Sequence, residues 1–196
     1  MDALFVCTGN ICRSPMAERT CRVRAATRGV DLGVSSAGVG AINGQPMHPH
    51  AVEVLTENGV DATGFVSRYL QPRILQSADL VLCMTREHRA ACQRMLPVRW
   101  KRMFTLVEFV ELVSILDRDP QSGGAGEGSV PGEFDAAPSI DTLMTARGRI
   151  DTNSAHLDIL DPMGRPKSDF ERVYGEVVPR VDSVVEWVAR VHNPEV

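Results

Sequence analysis

The chain has 196 residues, 43% of them hydrophobic, enough for one well-buried core and short of what two domains usually need. A net charge of −4 and a pI near 5.7 provide no electrostatic footprint for nucleic acid. The most apolar stretch, Met103–Leu116, carries Glu108 and Glu111 and is too short to span a membrane.

In chain order, the apolar run Ala3–Val6 predicts a buried strand, and Pro15–Arg28 a first helix. Leu32–Ser35 predicts a second strand and Pro49–Asn58 a second helix, with His48-Pro49-His50 as the surface turn that opens it rather than a metal site. Asp79–Cys83, Arg86–Met95 and Arg102–Thr105 predict strand, helix and strand, and Val107–Leu116 is helical in pattern. This alternation implies an α/β fold of three layers: a four-stranded parallel sheet flanked by helices, with ligands at the carboxyl ends of the strands. The last helix carries a core stripe of Phe170, Val173, Tyr174, Val177, Val181, Val184, Val185 and Val188, which Pro179 should kink or divide in two.

Residues 1–196 therefore read as a single domain, with an extended and mobile insertion at about 118–156. Its first part, Asp119-Pro120 followed by a Gly/Ser tract, cannot bury enough apolar surface to order itself. Ser139–Arg147 predicts a short helix, and the insertion as a whole reads as a passive extension. Arg86, Arg89, Arg94, Arg99, Lys101 and Arg102 form a local basic cluster, expected as a solvated helix face, with a docking surface for an acidic partner as the other reading.

Between the first strand and the first helix runs Cys7-Thr8-Gly9-Asn10-Ile11-Cys12-Arg13-Ser14-Pro15. Free N–H groups of the first helical turn and the positive end of the helix dipole converge on an anion placed there. A helix N-terminus with an adjacent Arg favours the thiolate of Cys7, a nucleophile. Arg13 can hold two phosphoryl oxygens with its planar fork, and the amides from Thr8 to Arg13, through Ile11 and Cys12, can form a nest for the rest. Gly9 permits close approach, Asn10 tolerates left-handed backbone, and Ser14 can donate its hydroxyl to the thiolate. The same Cys, five residues, Arg spacing recurs at Cys83 and Arg89, but without a glycine and with Glu87 inside it, so Cys83 is read as the end of a buried strand.

These residues resemble the low-molecular-weight protein tyrosine phosphatases, whose signature Cys-x-Gly-Asn-x-Cys-Arg-Ser-Pro is matched in full. The resemblance continues through Ser36-Ala37-Gly38, placed after the second strand, through Ala78–Leu82 with Met84-Thr85 and Glu87-His88, and into Asp161-Pro162. It implies a metal-independent phosphomonoester hydrolase without a cofactor. In it Cys7 is the nucleophile that forms a cysteinyl-phosphate, Arg13 the phosphate clamp and Asp161 the general acid, with Asn10, Ser14 and Ser36 bracing the loop. The other Asp-Pro pair, at Asp119, is explained by helix termination. The implied partner is a phosphotyrosine-containing protein, a tyrosine kinase among the candidates, with no nucleic acid and no membrane. Met163 stands where the family carries an aromatic wall, implying activity on aryl phosphates with poor selectivity. Phe65-Val66-Ser67-Arg68 alters the family's His-x-x-Arg. Relatives acting on phosphoarginine carry Thr where Ile11 stands, so Ile11 favours phosphotyrosine.

Two other functions fit parts of the sequence. A thiol-dependent arsenate reductase would use Cys7 with Cys83 and Cys92, although both of these are expected as buried structural residues and such reductases lack the catalytic Asp-Pro. A non-catalytic phosphate-binding module would need neither Cys7 nor Asp161. Five cysteines, an odd count, and no apolar leader predict a reducing, cytoplasmic setting. There a reversible Cys7–Cys12 disulfide would switch activity off under oxidant and protect Cys7.

Overall fold

A computed structural model describes residues 1–118 and 139–192. The strands β1 (Asp2–Cys7), β2 (Gly33–Gly38), β3 (Leu80–Cys83) and β4 (Met103–Thr105) form one parallel sheet in the order β2-β1-β3-β4. Between and after them run α1 (Arg13–Thr27), α2 (Pro49–Glu57), α3 (Pro72–Ser77), α4 (Arg86–Met95), α5 (Leu106–Arg118), α6 (Ile140–Ala146) and α7 (Lys167–His192). The central strands β1 and β3 are apolar on both sides, as a doubly covered parallel sheet requires. Phe5, Cys7, Leu80, Leu82 and Phe104 pack with α1, α2, α5 and α7, while Leu4, Val6, Val81, Cys83 and Met103 pack on the opposite side with Leu75 of α3 and Cys92 of α4. Strand alternation thus aims Cys7 toward α1 and Cys83 away from it.

Several boundaries differ from those expected. Helix α1 begins at Arg13 rather than Pro15, since a proline in the first turn lacks only an N–H that would have no intrahelical partner. Strand β2 extends to Gly38, so Ser36 lies inside it instead of after it. Helix α3 was not foreshadowed, being six residues long with Leu75 as its buried side chain. Pro179 does not divide the last helix: α7 runs unbroken from Lys167 to His192. Burial of Val177, Val181, Val184, Val185, Trp187 and Val188 on both sides of Pro179 outweighs the bond it forgoes, and Gly175, one turn earlier, presents no side chain there.

The second half of the insertion is anchored to the rest of the domain by Leu143, Ala146 and Arg147. Ser139 caps α6, whose Leu143 and Ala146 are buried, and the turn after it sends Arg147 over the Phe104 ring. Arg147 Nε donates to Glu108 Oε1 at 2.5 Å and Nη2 to the Met103 carbonyl at 3.0 Å. Glu108 is fully buried and also pairs with Arg89. It closes a capping box on α5, accepting from the Thr105 amide while Thr105 Oγ1 accepts from its own, each at 3.0 Å. The solvated face expected of the basic cluster holds at Arg94 and Lys101, which are exposed, and is corrected at Arg86, Arg89 and Arg102. Arg89 is internal, Arg86 is spent on Asp158, and Arg102 pairs with Asp79. The mobility expected of residues 119–138, with Asp119-Pro120, falls outside the described residues.

Candidate active site

Strand β1 ends at Cys7 and α1 begins at Arg13, so residues 8–12 must turn the chain through a tight loop. Asn10 makes that turn at φ 52°, the one non-glycine residue with left-handed backbone among the described residues. The crowded glycine is Gly38 of the neighbouring strand and not Gly9. A Cβ on Gly38 would stand 2.4 Å from the Thr8 carbonyl oxygen and 2.8 Å from the Asn10 nitrogen, whereas one on Gly9 would meet only the Ile11 side chain at 3.5 Å.

The loop is held by a directed chain of hydrogen bonds. Asn10 Nδ2 donates to Ser36 Oγ at 2.8 Å and to Ser14 Oγ at 3.0 Å, and Asn10 Oδ1 accepts from the Arg68 amide at 2.9 Å. Ser36 Oγ in turn donates to Glu18 Oε2 at 2.5 Å, and Arg22 pairs with the other oxygen of Glu18 at 2.7 Å. Because Ser14 Oγ accepts from Asn10, its own proton is free for Cys7 Sγ, 2.9 Å away; the Asn10 amide donates to the same sulfur at 3.3 Å. Both hydrogen bonds are thus aimed at the one sulfur. The Cys12 thiol is pushed up to about 12, chiefly by burial and then by Cys7 and Asp161, and keeps its proton.

Arg13, almost wholly buried, spans the mouth of the loop. Its Nη1 donates to the Ile159 carbonyl at 3.0 Å, and its Nη2 to Asp161 Oδ2 at 2.5 Å and to Thr8 Oγ1 at 3.4 Å. Its Nε is buried and has no partner, a donor left over for an oxygen the protein does not supply. Asp161 reaches this point because its loop is pinned upstream. The Ile159 amide donates to the Met84 carbonyl just past β3, and Asp158 takes four bonds from Arg86. Although burial works against it, those bonds hold the Asp158 carboxyl below the usual range. Met163 is half exposed beside Asp161, its amide donating to Asp161 Oδ1 at 3.1 Å.

The structure thus brings together Cys7, Arg13, Ser14, Asn10, Ser36 and Asp161. It adds Glu18 and His88, which sequence reasoning did not single out as part of the site. Glu18, one turn into α1, gave no usable signal, whereas His88 was present in the stretch that resembled the family. His88 Nε2 lies 2.9 Å from Thr8 Oγ1. Burial, and after it the charge of Arg13, pushes its pKa down to about 4. The other cysteine pair does not join the site. Cys83 and Cys92 are fully buried with sulfurs 3.8 Å apart on the sheet face that Cys7 turns away from, which removes the relay an arsenate reductase would need.

The architecture and the loop define a class: a parallel α/β protein with a thiol at a strand end and an anion cradle at the following helix. Within that class, the chain belongs to the low molecular weight phosphotyrosine protein phosphatase family, which matches residues 2–127. It is 44% identical over 110 residues to the protein-arginine-phosphatase of Bacillus subtilis, covering 56% of this chain and 73% of that protein. It is 33% identical over 124 residues to the low molecular weight protein-tyrosine-phosphatase YfkJ of the same organism, covering 60% and 80%. Among solved structures, the low molecular weight protein tyrosine phosphatase of T. tengcongensis superposes with TM-score 0.69 at 30% identity, covering 95% of this chain and 98% of that one. A cysteine-to-serine mutant of the YwlE arginine phosphatase with a phosphorylated active-site serine superposes with TM-score 0.72 at 29% identity over the whole of both chains. No described helix is long and apolar enough to cross a membrane.

Proposed function

We propose that this chain hydrolyses phosphomonoesters of proteins, phosphotyrosine foremost, through a cysteinyl-phosphate on Cys7. The observation that carries the reading is the buried, unpartnered Nε of Arg13 beside a Cys7 sulfur that already receives two hydrogen bonds. A phosphoryl group seated on the loop takes Arg13 Nε and the loop amides. Cys7 attacks phosphorus in line as the ester P–O bond breaks, and protonated Asp161 gives its proton to the leaving oxygen. Water then attacks phosphorus, passing a proton to the Asp161 carboxylate. The P–S bond breaks, releasing inorganic phosphate and the Cys7 thiolate. Arg13 and the amides hold the charge that develops, so no step calls for a metal. The phosphorylated serine in the YwlE mutant supports a covalent intermediate at the loop's first residue.

The test is hydrolysis of p-nitrophenyl phosphate at mildly acid pH in the presence of EDTA, beside Cys7→Ser. Activity in the first and none in the second is expected, with competitive inhibition by arsenate; an active Cys7→Ser protein overturns the proposal. The substrate protein and its compartment belong to the same proposal: a phosphotyrosine protein such as a tyrosine kinase, met in the cytoplasm where Cys7 stays reduced. A second substrate, phosphoarginine, is favoured by the 44% identity to a protein-arginine-phosphatase. Comparing kcat/KM on one peptide carrying either phosphotyrosine or phosphoarginine separates the two, and Ile11 leads us to expect the former to win.

A further inference from the structure

Thr8, the second residue of the loop, is tied to a side chain outside it. Its Oγ1 lies 2.9 Å from His88 Nε2 and accepts from Arg13 Nη2 at 3.4 Å. On the other side of the ring, Nδ1 lies 2.9 Å from Thr85 Oγ1. Thr85 caps α4, its hydroxyl oxygen accepting from the His88 amide at 3.3 Å. For the Thr85 hydroxyl proton, the acceptor present among the described residues is His88 Nδ1. A neutral imidazole that accepts at Nδ1 donates at Nε2. Burial and Arg13 keep the ring neutral down to about pH 4. Thr8 Oγ1 then has one lone pair engaged by His88 Nε2–H and the other by Arg13, and its proton is left for something the loop does not contain.

We propose that His88, by holding this tautomer, turns the hydroxyl proton of Thr8 outward as a hydrogen-bond donor to a non-bridging oxygen of the phosphoryl group on Arg13. The inference rests on the phosphatase reading of the site. Thr8 is exposed, and the nitrogen of Arg13 that reaches it is the one that meets Asp161, so the hydroxyl borders the cradle on the side of the acid. Thr8 is the group that touches substrate. His88 acts through it and is a positioning residue. The opposite tautomer, with the proton on Nδ1, would make Nε2 the acceptor, consume the Thr8 proton and leave no donor facing the substrate.

Two measurements decide this. The ¹⁵N shifts of His88 at neutral pH, in the free protein and with inorganic phosphate, are expected to show Nε2 protonated and Nδ1 bare; a proton on Nδ1 overturns the proposal. In p-nitrophenyl phosphate kinetics, a donor lost to a charged acceptor costs roughly ten- to a hundredfold in kcat/KM. Thr8→Val and His88→Leu should each lose that much, while Thr8→Ser and His88→Gln, which keep a donor at similar reach, retain most activity. The double variant Thr8→Val/His88→Leu should be no worse than Thr8→Val alone. Full activity in Thr8→Val, or losses that multiply in the double variant, overturn the proposal. Should His88→Leu fail to fold, the Thr8 pair, His88→Gln and the ¹⁵N shifts still decide. An inactive wild-type protein would instead sink the phosphatase reading, and is thereby distinguishable from failure of this one.

Discussion

Arg13 and Asp161, 148 residues apart in sequence, meet at 2.5 Å between Nη2 and Oδ2. The proposed clamp and the proposed acid therefore share a contact that a phosphoryl group bound on Arg13 would reorganise. Asp161 is placed for this by the Ile159 carbonyl on Arg13 and by the Arg86 grip on Asp158, so its position is inherited from residues that do no chemistry.

Asp161→Asn should lower kcat on p-nitrophenyl phosphate by roughly a hundredfold or more, the range of general acid catalysis, with KM changed little. Asp119→Asn, at the Asp-Pro pair that helix termination explains, should leave kcat within about twofold of wild type. Steady-state kinetics of the two side by side check the assignment, and equal losses would sink it.

Gly38→Ala should damage stability and activity together, because its Cβ would press on the Thr8 carbonyl at 2.4 Å and the Asn10 amide at 2.8 Å, both backbone atoms that can yield only by moving the loop. Overpacking of this kind costs about 1–3 kcal/mol. Urea denaturation and kcat measured on the same preparation test it; Gly9→Ala, whose Cβ meets only a side chain at 3.5 Å, should destabilise far less.

His88 makes the fold acid-sensitive in a defined window. Its folded pKa of about 4 lies below the unfolded value of about 6.5, so the unfolded chain takes up the proton first. The stability it contributes is complete above pH 6.5 and is lost as pH falls through 4, a total of about 3 kcal/mol. Urea midpoints between pH 7 and pH 4 should fall less steeply in His88→Gln. Parallel slopes for the two proteins would show that His88 titrates normally.

Glu108→Ala should be among the most damaging single changes, since it leaves Arg89 and Arg147 facing an emptied, buried site and strips the Thr105 amide of its acceptor in the capping box. Breaking a buried ion pair from one side costs about 3–5 kcal/mol. Arg147→Ala should chiefly release α6, read as faster proteolysis after Arg149 with kcat on p-nitrophenyl phosphate preserved. Loss of kcat equal to that of Asp161→Asn would show that the insertion reaches the site itself.

The phosphate loop was legible in the linear sequence because its chemistry is local. Seven residues from Cys7 to Arg13 contain the sulfur, the left-handed Asn10 and the guanidinium, and the strand before and helix after follow from short apolar runs and a proline. The parallel sheet followed too, since hydrophobic segments alternated with helical ones at the spacing that crossovers need. Helix boundaries were less legible: the 26-residue α7 overrides its proline through contacts that only packing creates. What tertiary structure alone decided is which distant residue serves which atom. Glu18 orients the Asn10 amide through Ser36, Gly38 makes room for the loop from a neighbouring strand, and His88 faces Thr8 from α4. Such roles depend on direction and distance across the sheet, which residue type and spacing do not encode. The proposed nucleophile is therefore written in the sequence, and the orientation of the groups around it is a property of the folded chain.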